Sequence, residues 1–192
     1  KIFASACIVN NDLTPASNYR SERDFSKWLK INRVACITGI DTRLLAKLIR
    51  DEGALRAMIH FPKKKLDKIN FLKKELSFFP SMENQDLASQ ISTKNIYEWK
   101  KNKKEIIEFN NIKKKFIAVY DFGIKTNILK ILDNSKFQVI VFPYNYPVQT
   151  ILKKKPTGFF LSNGPGDPLA TYKKIKDNLN IIKNLNIPTF GI

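Results

Sequence analysis

Apolar positions in the C-terminal part of the chain form short runs that alternate with helical stretches. The predicted strands are 116–120, 137–142, 158–161 and 189–192, and the predicted helices are 125–132, 148–153 and 172–185. This alternation is typical of an α/β fold with a parallel sheet covered on both faces. Ligands bind such sheets at loops beyond the carboxyl ends of the strands. Two loops of unusual composition, 121–123 and 162–168, follow predicted strands at such ends.

The N-terminal part has a weaker pattern. Strands are predicted at 2–9, 34–37 and 57–61, and helices at 21–30, 66–72 and 86–90. The best helix has Asp41 or Thr42 as its N-cap, Leu44, Leu45, Leu48 and Ile49 at helical spacing, and Gly53 as its stop.

A further strand, with Tyr97 and Trp99 as packing anchors, precedes the polar, lysine-rich run 100–115. That run can bury little apolar surface, which indicates a boundary between two domains, 1–111 and 112–192.

The chain is strongly basic, with a net charge of +17. A nucleic-acid-binding module is one interpretation, because clustered cations neutralise phosphates. However, 28 of the basic residues are Lys and only 6 are Arg, the residue suited to bidentate phosphate and base contacts. The triplets at 63–65, 113–115 and 153–155 lie beside predicted elements, where solvated lysines are common. The charge therefore favours a solvated surface over a nucleic-acid partner.

The residues offer few nucleophiles or metal ligands. The chain has two cysteines, Cys7 and Cys36, and one histidine, His60, too few for a disulfide framework or a metal site. Cys36 lies in an apolar run, which favours a core thiol over a nucleophile paired with His60. No apolar run approaches the roughly 20 residues of a membrane span.

Two short motifs invite interpretations that their surroundings do not support. Asp121-Phe122-Gly123 lacks the other kinase motifs, so we expect it to close a strand and lead into a helix. The pair Gly164 and Gly166 lacks the third glycine of a dinucleotide fingerprint, and Pro165 and Pro168 are expected to prevent a helix from starting there.

The loop Asn163-Gly-Pro-Gly-Asp-Pro168 predicts a stiff backbone. Glycine allows close approach and positive φ, whereas proline fixes its own φ and lacks an N–H. Such a loop could form half of an oxyanion hole, with fixed N–H donors for charge that develops during acyl transfer. It could equally be a tight turn between strand and helix. These residues alone leave both interpretations open.

Seven segments, in order along nearly the whole chain, resemble the small subunit of carbamoyl-phosphate synthetases, which are class I glutamine amidotransferases. The segments are 15–20, 39–45, 53–54, 79–80, 86–88, 120–129 and 160–168. The Ile-Asp-Thr-Arg helix start at 40–43 and the Asp-Phe-Gly-x-Lys-x-Asn-Ile block at 121–128 distinguish this subunit from sibling glutaminases.

The resemblance implies a central fragment of such a subunit. Residues 1–111 would be the later part of a swivelling N-terminal β/β/α domain, and 112–192 the first half of a three-layer α/β/α glutaminase domain. Gly164 and Gly166 would contact glutamine, with the Gly164 N–H as an oxyanion donor. The nucleophilic cysteine of the family's Cys–His–Glu triad would directly follow Ile192, so the fragment alone should be inactive.

The resemblance also implies partners and a cellular setting. The partners would be the large synthetase subunit and L-glutamine, and the ammonia would serve cytoplasmic carbamoyl phosphate synthesis for arginine and pyrimidines. This subunit would bind no cofactor, because ATP and Mg²⁺ belong to the large subunit. The alternatives are the basic nucleic-acid-binding module and a sibling or inactive amidotransferase that keeps the scaffold.

Overall fold

The chain divides into two compact units, residues 1–81 and 82–192. The structure, a computed structural model, describes residues 4–62, 65–112, 115–134 and 137–192. Positions 2 and 3 of the first predicted strand, and two members each of the lysine triplets at 63–65 and 113–115, lie outside the described residues. The units divide before the predicted domain boundary after residue 111, because residues 97–106 belong to the sheet of the second unit. The domain boundaries implied by the family resemblance stay a prediction.

The described residues of the first unit form a small parallel sheet and three helices. Its elements are β1 (Ala6–Ile8), α1 (Phe25–Ile31), β2 (Ala35–Ile37), α2 (Thr42–Glu52) and α3 (Ile69–Ser77). The start and stop predicted for α2 are confirmed. The Asp41 carboxylate accepts the Leu44 N–H at 3.0 Å, and Gly53 ends the helix with a φ of +84°.

The strand predicted at 57–61 is wrong. These residues form no strand, although Met58, Ile59 and His60 are half-buried. A strand requires a neighbouring strand to pair its backbone groups, and the described sheet of this unit contains only β1 and β2. The apolar residues at 57–61 therefore indicate burial and not pairing with another strand.

The second unit is built on a mixed sheet of six strands in the order β4-β3-β6-β5-β7-β8. Its strands are β3 (Tyr97–Lys100), β4 (Lys103–Ile106), β5 (Phe116–Asp121), β6 (Gln138–Pro143), β7 (Gly158–Leu161) and β8 (Thr189–Gly191). Its helices are α4 (Ala88–Ile91), α5 (Thr126–Asp133), α6 (Val148–Leu152) and α7 (Pro168–Lys183), with a 3-10 turn at Phe109–Asn111. The four strands predicted in parallel are parallel, whereas β3 and β4 extend the sheet in antiparallel fashion.

Along the central strands, successive side chains point alternately into two separate hydrophobic cores, one on each face of the sheet. Phe116, Ala118 and Tyr120 pack with Val148 and other residues of α6 and α7 on one face. Residues of intervening positions pack with α5 on the other face: Val119, Val139, Val141 and Phe160. Helices therefore cover both faces of the sheet, which confirms the predicted α/β class.

The strand order places a natural ligand site at the carboxyl end of β5. Strand β5 pairs with β6 on one side and with β7 on the other, so the connections leave it in opposite directions. Ligands of open α/β sheets bind at such a switch point, outside the carboxyl ends of the strands. The loops that follow β5 and β7, residues 121–125 and 162–167, meet there. No helix in the described ranges is both long and apolar enough to cross a membrane.

Candidate active site at the carboxyl ends of β5 and β7

Ser162 joins the two loops at the switch point. Its N–H donates to the Tyr120 carbonyl at 3.3 Å, which continues the β5–β7 pairing by one residue. Its buried hydroxyl accepts the Phe122 N–H at 3.0 Å and donates to the Asn163 carbonyl at 2.9 Å. One side chain therefore fixes the start of both loops.

Gly164 and Gly166 are positions where neighbouring backbone leaves no room for a side chain. A Cβ on Gly164 would overlap the Phe122 carbonyl oxygen. A Cβ on Gly166 would lie 2.5 Å from the Gln85 carbonyl oxygen and 2.9 Å from the Leu87 nitrogen, and the φ of Gly166 is +89°. The loop 162–168 is therefore packed between the β5 loop and the segment that precedes α4, residues 84–87.

The same loop presents backbone donors that its own fold leaves unused. Within the described residues, the N–H groups of Gly164 and Gly166 donate no backbone hydrogen bond, and Pro165 between them has no N–H. A rigid loop with free N–H groups is suited to stabilise a negative oxygen.

Asp167 ends the loop and begins α7. Its Oδ1 accepts the Leu169 N–H at 2.8 Å, and its Oδ2 accepts the Asn84 N–H at 2.9 Å. The Asn84 and Leu169 N–H groups hold the pKa of Asp167 below its usual value. The prediction that proline prevents a helix start here is wrong, because Pro168 is the first residue of α7. Proline is favoured there, since the first helical N–H needs no partner within the helix.

Asp121 organises the other loop and was not among the sequence-predicted site residues. It is 6% exposed, and its Oδ1 accepts the N–H groups of Gly123 and Ile124, each at 2.9 Å. Its Oδ2 accepts the Thr93 N–H at 2.8 Å, from the segment that follows α4. The Asp-x-Gly sequence after a buried strand is the signal that could have identified this turn. Burial, followed by the nearby Asp121 charge, raises the pKa of Tyr97.

A cavity of about 350 Å³ opens where these loops meet β8 and α7. Its lining residues include Phe122, Asn163, Gly164, Gly166, Tyr172 and Gly191. This size is within the range of small-molecule sites. The Asn163 Oδ1 is buried and accepts no hydrogen bond within the described ranges. Both predicted glutamine-contacting glycines therefore line one cavity.

Cys36 and His60 do not form the nucleophile–base pair that was considered. The His60 Nε2 lies 3.2 Å from the Asp67 Oδ2, and Cys36 is the register partner of Cys7 across β1 and β2. Burial and the adjacent Cys7 thiol raise the pKa of Cys36, which disfavours a reactive thiolate. Among the described residues, no group of three or more His, Cys, Asp or Glu is placed to hold a metal ion.

Comparison with known proteins assigns both parts of the chain to one family. Residues 1–59 match the family model for the carbamoyl-phosphate synthase small chain, CPSase domain, and residues 118–192 match that for glutamine amidotransferase class-I. The chain belongs to the carbamoyl-phosphate synthase small chain family. It is 38% identical to the carbamoyl phosphate synthase small chain of Bartonella henselae, over 98% of this chain and 48% of that protein.

Other small chains match to a similar extent. The Buchnera aphidicola subsp. Acyrthosiphon pisum protein is 38% identical over 100% of this chain and 50% of its own length. The Bartonella bacilliformis protein is 40% identical over 92% of this chain and 45% of its own length. The chain thus spans about half the length of the curated relatives it matches.

Proposed function

We propose that this chain provides the oxyanion wall of a glutaminase, within a carbamoyl-phosphate synthase small subunit that hydrolyses glutamine. The observation that carries the proposal is the loop 162–168. It is held rigidly at a strand switch point, lines a cavity, and has unused N–H groups at Gly164 and Gly166. Family membership gives the reaction class in which such a loop is useful.

In the proposed reaction, a cysteine thiolate attacks the side-chain amide carbon of glutamine. The carbonyl oxygen becomes negative in the tetrahedral intermediate, and the Gly164 N–H donates to it. The histidine of the family's triad protonates the leaving nitrogen, so collapse of the intermediate expels ammonia and leaves a thioester, which water hydrolyses to glutamate and the free thiol. Gly166 contacts the substrate from the same loop. The cysteine is the residue that we expect to follow Ile192.

The proposed partner is the large synthetase subunit, which would receive the ammonia and combine it with bicarbonate at the expense of ATP. ATP and Mg²⁺ would bind to that subunit and not to this chain. The proposed location is the cytoplasm, where both products of the pathway, arginine and pyrimidines, are made.

The test uses the complete reading frame that contains this chain, with and without the large subunit of the same organism. We expect glutamate release from glutamine, faster with the large subunit, bicarbonate and ATP. Replacement of the cysteine expected after Ile192 by serine should abolish it. A complex that releases no glutamate and forms no glutamyl thioester would refute the proposal.

The same preparation separates the alternative functions. A scaffold that has lost its chemistry would bind the large subunit without releasing glutamate. A nucleic-acid-binding module would bind duplex or single-stranded DNA at 50 mM salt with the steep salt dependence of several phosphate contacts. We expect no such binding, because 28 of the basic residues are Lys and only 6 are Arg, the residue suited to bidentate phosphate contacts.

A further inference from the structure

An ion pair between a buried carboxylate and a half-exposed lysine lies beside the segment that supports the proposed oxyanion wall. Asp86, whose side chain is 7% exposed, places its Oδ2 2.7 Å from the Nζ of Lys174 on α7. Its Oδ1 accepts the Thr171 hydroxyl at 2.9 Å, also on α7, and the Ser89 N–H at 3.1 Å. A carboxylate at this depth needs such partners, because burial without them is costly.

Asp86 stands between the two residues on which the loop rests. The backbones of Gln85 and Leu87 are the groups that approach Gly166 too closely for a side chain. The Asp167 N–H also donates to the Gln85 carbonyl at 2.9 Å, while Asn84 donates to the Asp167 carboxylate. A shift of Asp86 would therefore move the surface that supports Gly166.

These contacts form a closed circuit. The loop 162–168 leads into α7, α7 holds Asp86 through Thr171 and Lys174, and the flanks of Asp86 hold the loop at Gly166 and Asp167. Each of these contacts is a directional hydrogen bond or a close backbone approach. Together they restrict the loop 162–168 to one position. The contacts also explain why the pKa of Asp86 is low. Burial raises this pKa, but the hydrogen bonds from Lys174, Ser89 and Thr171 together lower it to about 2.

We propose that Asp86, Lys174 and Thr171 are positioning residues that hold the Gly164 amide at the oxyanion and Gly166 against the substrate. This inference rests on the proposed function. Among the described residues, Thr171 lines the cavity but Asp86 and Lys174 do not, so the ion pair need not touch glutamine. Their effect would be transmitted by the backbone of 85–87, and misplacement of donors by a fraction of an ångström reduces the rate of the chemical step more than substrate binding.

The test compares Asp86→Asn and Lys174→Met with Lys176→Met in the complete protein, with its large subunit. Lys176 is exposed, two positions along the same helix, and forms no ion pair in the described part of the chain. At a temperature where all variants are fully folded, we expect kcat of glutamate release to fall about 10-fold to 100-fold in the first two variants. The control should match the unaltered protein, and Lys174→Arg should restore most of kcat.

A purely structural ion pair gives a different result. It would lower the melting temperature of Asp86→Asn and Lys174→Met but leave kcat and KM of the folded enzyme unchanged, which would overturn the inference. If the unaltered protein has no glutaminase activity, the proposed function fails, but the positioning role is still measured by amide hydrogen exchange of residues 162–170. Faster exchange in these two variants, with no change in Lys176→Met, supports positioning. Equal exchange in all variants refutes it.

Discussion

Single residues of the site are constrained first by packing. At Gly123, Gly164 and Gly166 an added Cβ would lie within 2.5 Å of a neighbouring atom. The neighbours of Gly164 and Gly166 are backbone carbonyl oxygens, which cannot move aside as a flexible side chain can. The glycines that the proposed reaction requires are therefore also the glycines that the fold requires.

Gly164→Ala should separate the loop 162–168 from the β5 loop. The new methyl group would overlap the Phe122 carbonyl oxygen, and overpacking against backbone should cost about 3 kcal/mol of unfolding free energy. Urea denaturation followed by tryptophan fluorescence measures this loss. In Gly191→Ala the nearest atom would be the Leu161 Cβ at 3.8 Å, so its stability should change little. Equal stability of both variants would contradict this packing argument.

Asp121→Asn should loosen the same site from the other loop. The Asp121 carboxylate accepts three N–H groups. In asparagine an NH₂ group replaces one carboxylate oxygen, so at least one of these N–H donors would lose its acceptor and lie against another donor. We expect a loss of about 1–3 kcal/mol in unfolding free energy. Asp177→Asn on the exposed surface of α7 serves as the control. A loss no larger than in the control would show that the three hydrogen bonds contribute little.

At the scale of elements, the lysine-rich run 100–115 gave no sequence signal for the strand that its first part forms. Residues 100–106 lie in the hairpin β3–β4, which turns at Lys101 and Asn102 with φ of 49° and 60°. All of β4 is exposed, so its composition carries no apolar signal. Cross-strand pairing with β3, whose Tyr97 and Trp99 are buried, holds it in the sheet.

This turn offers a way to stabilise the unit. Two consecutive residues with positive φ are typical of a type I′ turn, which favours Asn-Gly. Lys101→Asn combined with Asn102→Gly should raise the unfolding free energy by about 1 kcal/mol, or the melting temperature by about 2–4 °C. Asn102→Val should lower it, because a β-branched residue tolerates positive φ poorly. Similar melting temperatures for both variants would show that the turn does not limit stability.

Helix α7 shows why element ends are harder to predict than elements. Its apolar periodicity predicted residues 172–185, but the helix begins at Pro168. Asp167 caps it, and a cap that also bonds to Asn84 cannot be recognised from local sequence. The strands 116–120 and 158–161, by contrast, were predicted nearly correctly, because burial on both faces makes them continuous apolar runs.

For the molecule as a whole, the hydrogen-bonded carboxylates of Asp86 and Asp167 predict sensitivity to acid. The pKa of Asp86 is lowered to about 2, and that of Asp167 is also lowered, compared with about 3.9 for an unfolded Asp. Protons therefore bind the unfolded chain more readily, and this stabilisation is present above about pH 4 and lost as the pH falls toward 2.

Urea denaturation between pH 7 and pH 2 should show this loss. We expect Asp86→Asn to lower stability at pH 7 by about 1–2 kcal/mol, a value reduced by solvent screening of the half-exposed Lys174, and to make the acid dependence shallower. Asp177→Asn should keep the steep dependence. An unchanged profile in Asp86→Asn would show that other carboxylates control acid unfolding.

The support of the site comes from chain segments that are far apart in sequence. The loop 162–168 is recognisable by its glycines and prolines and residues 86–88 by resemblance, but no local pattern indicates that the two segments touch. Hydrogen bonds join Asn84 to Asp167 and Asp86 to Thr171 across separations of 83 and 85 residues. Such contacts depend on the path of the whole sheet between them.

Those long separations also determine when the site forms during folding. Closing a chain segment of that length costs more conformational entropy than forming a local hairpin or helix. Contacts between residues far apart in sequence therefore form late. The sheet β5–β6–β7 can assemble before residues 84–93 dock against its carboxyl end. On refolding from urea, helical circular dichroism should therefore return before the loop 162–168 is protected from hydrogen exchange.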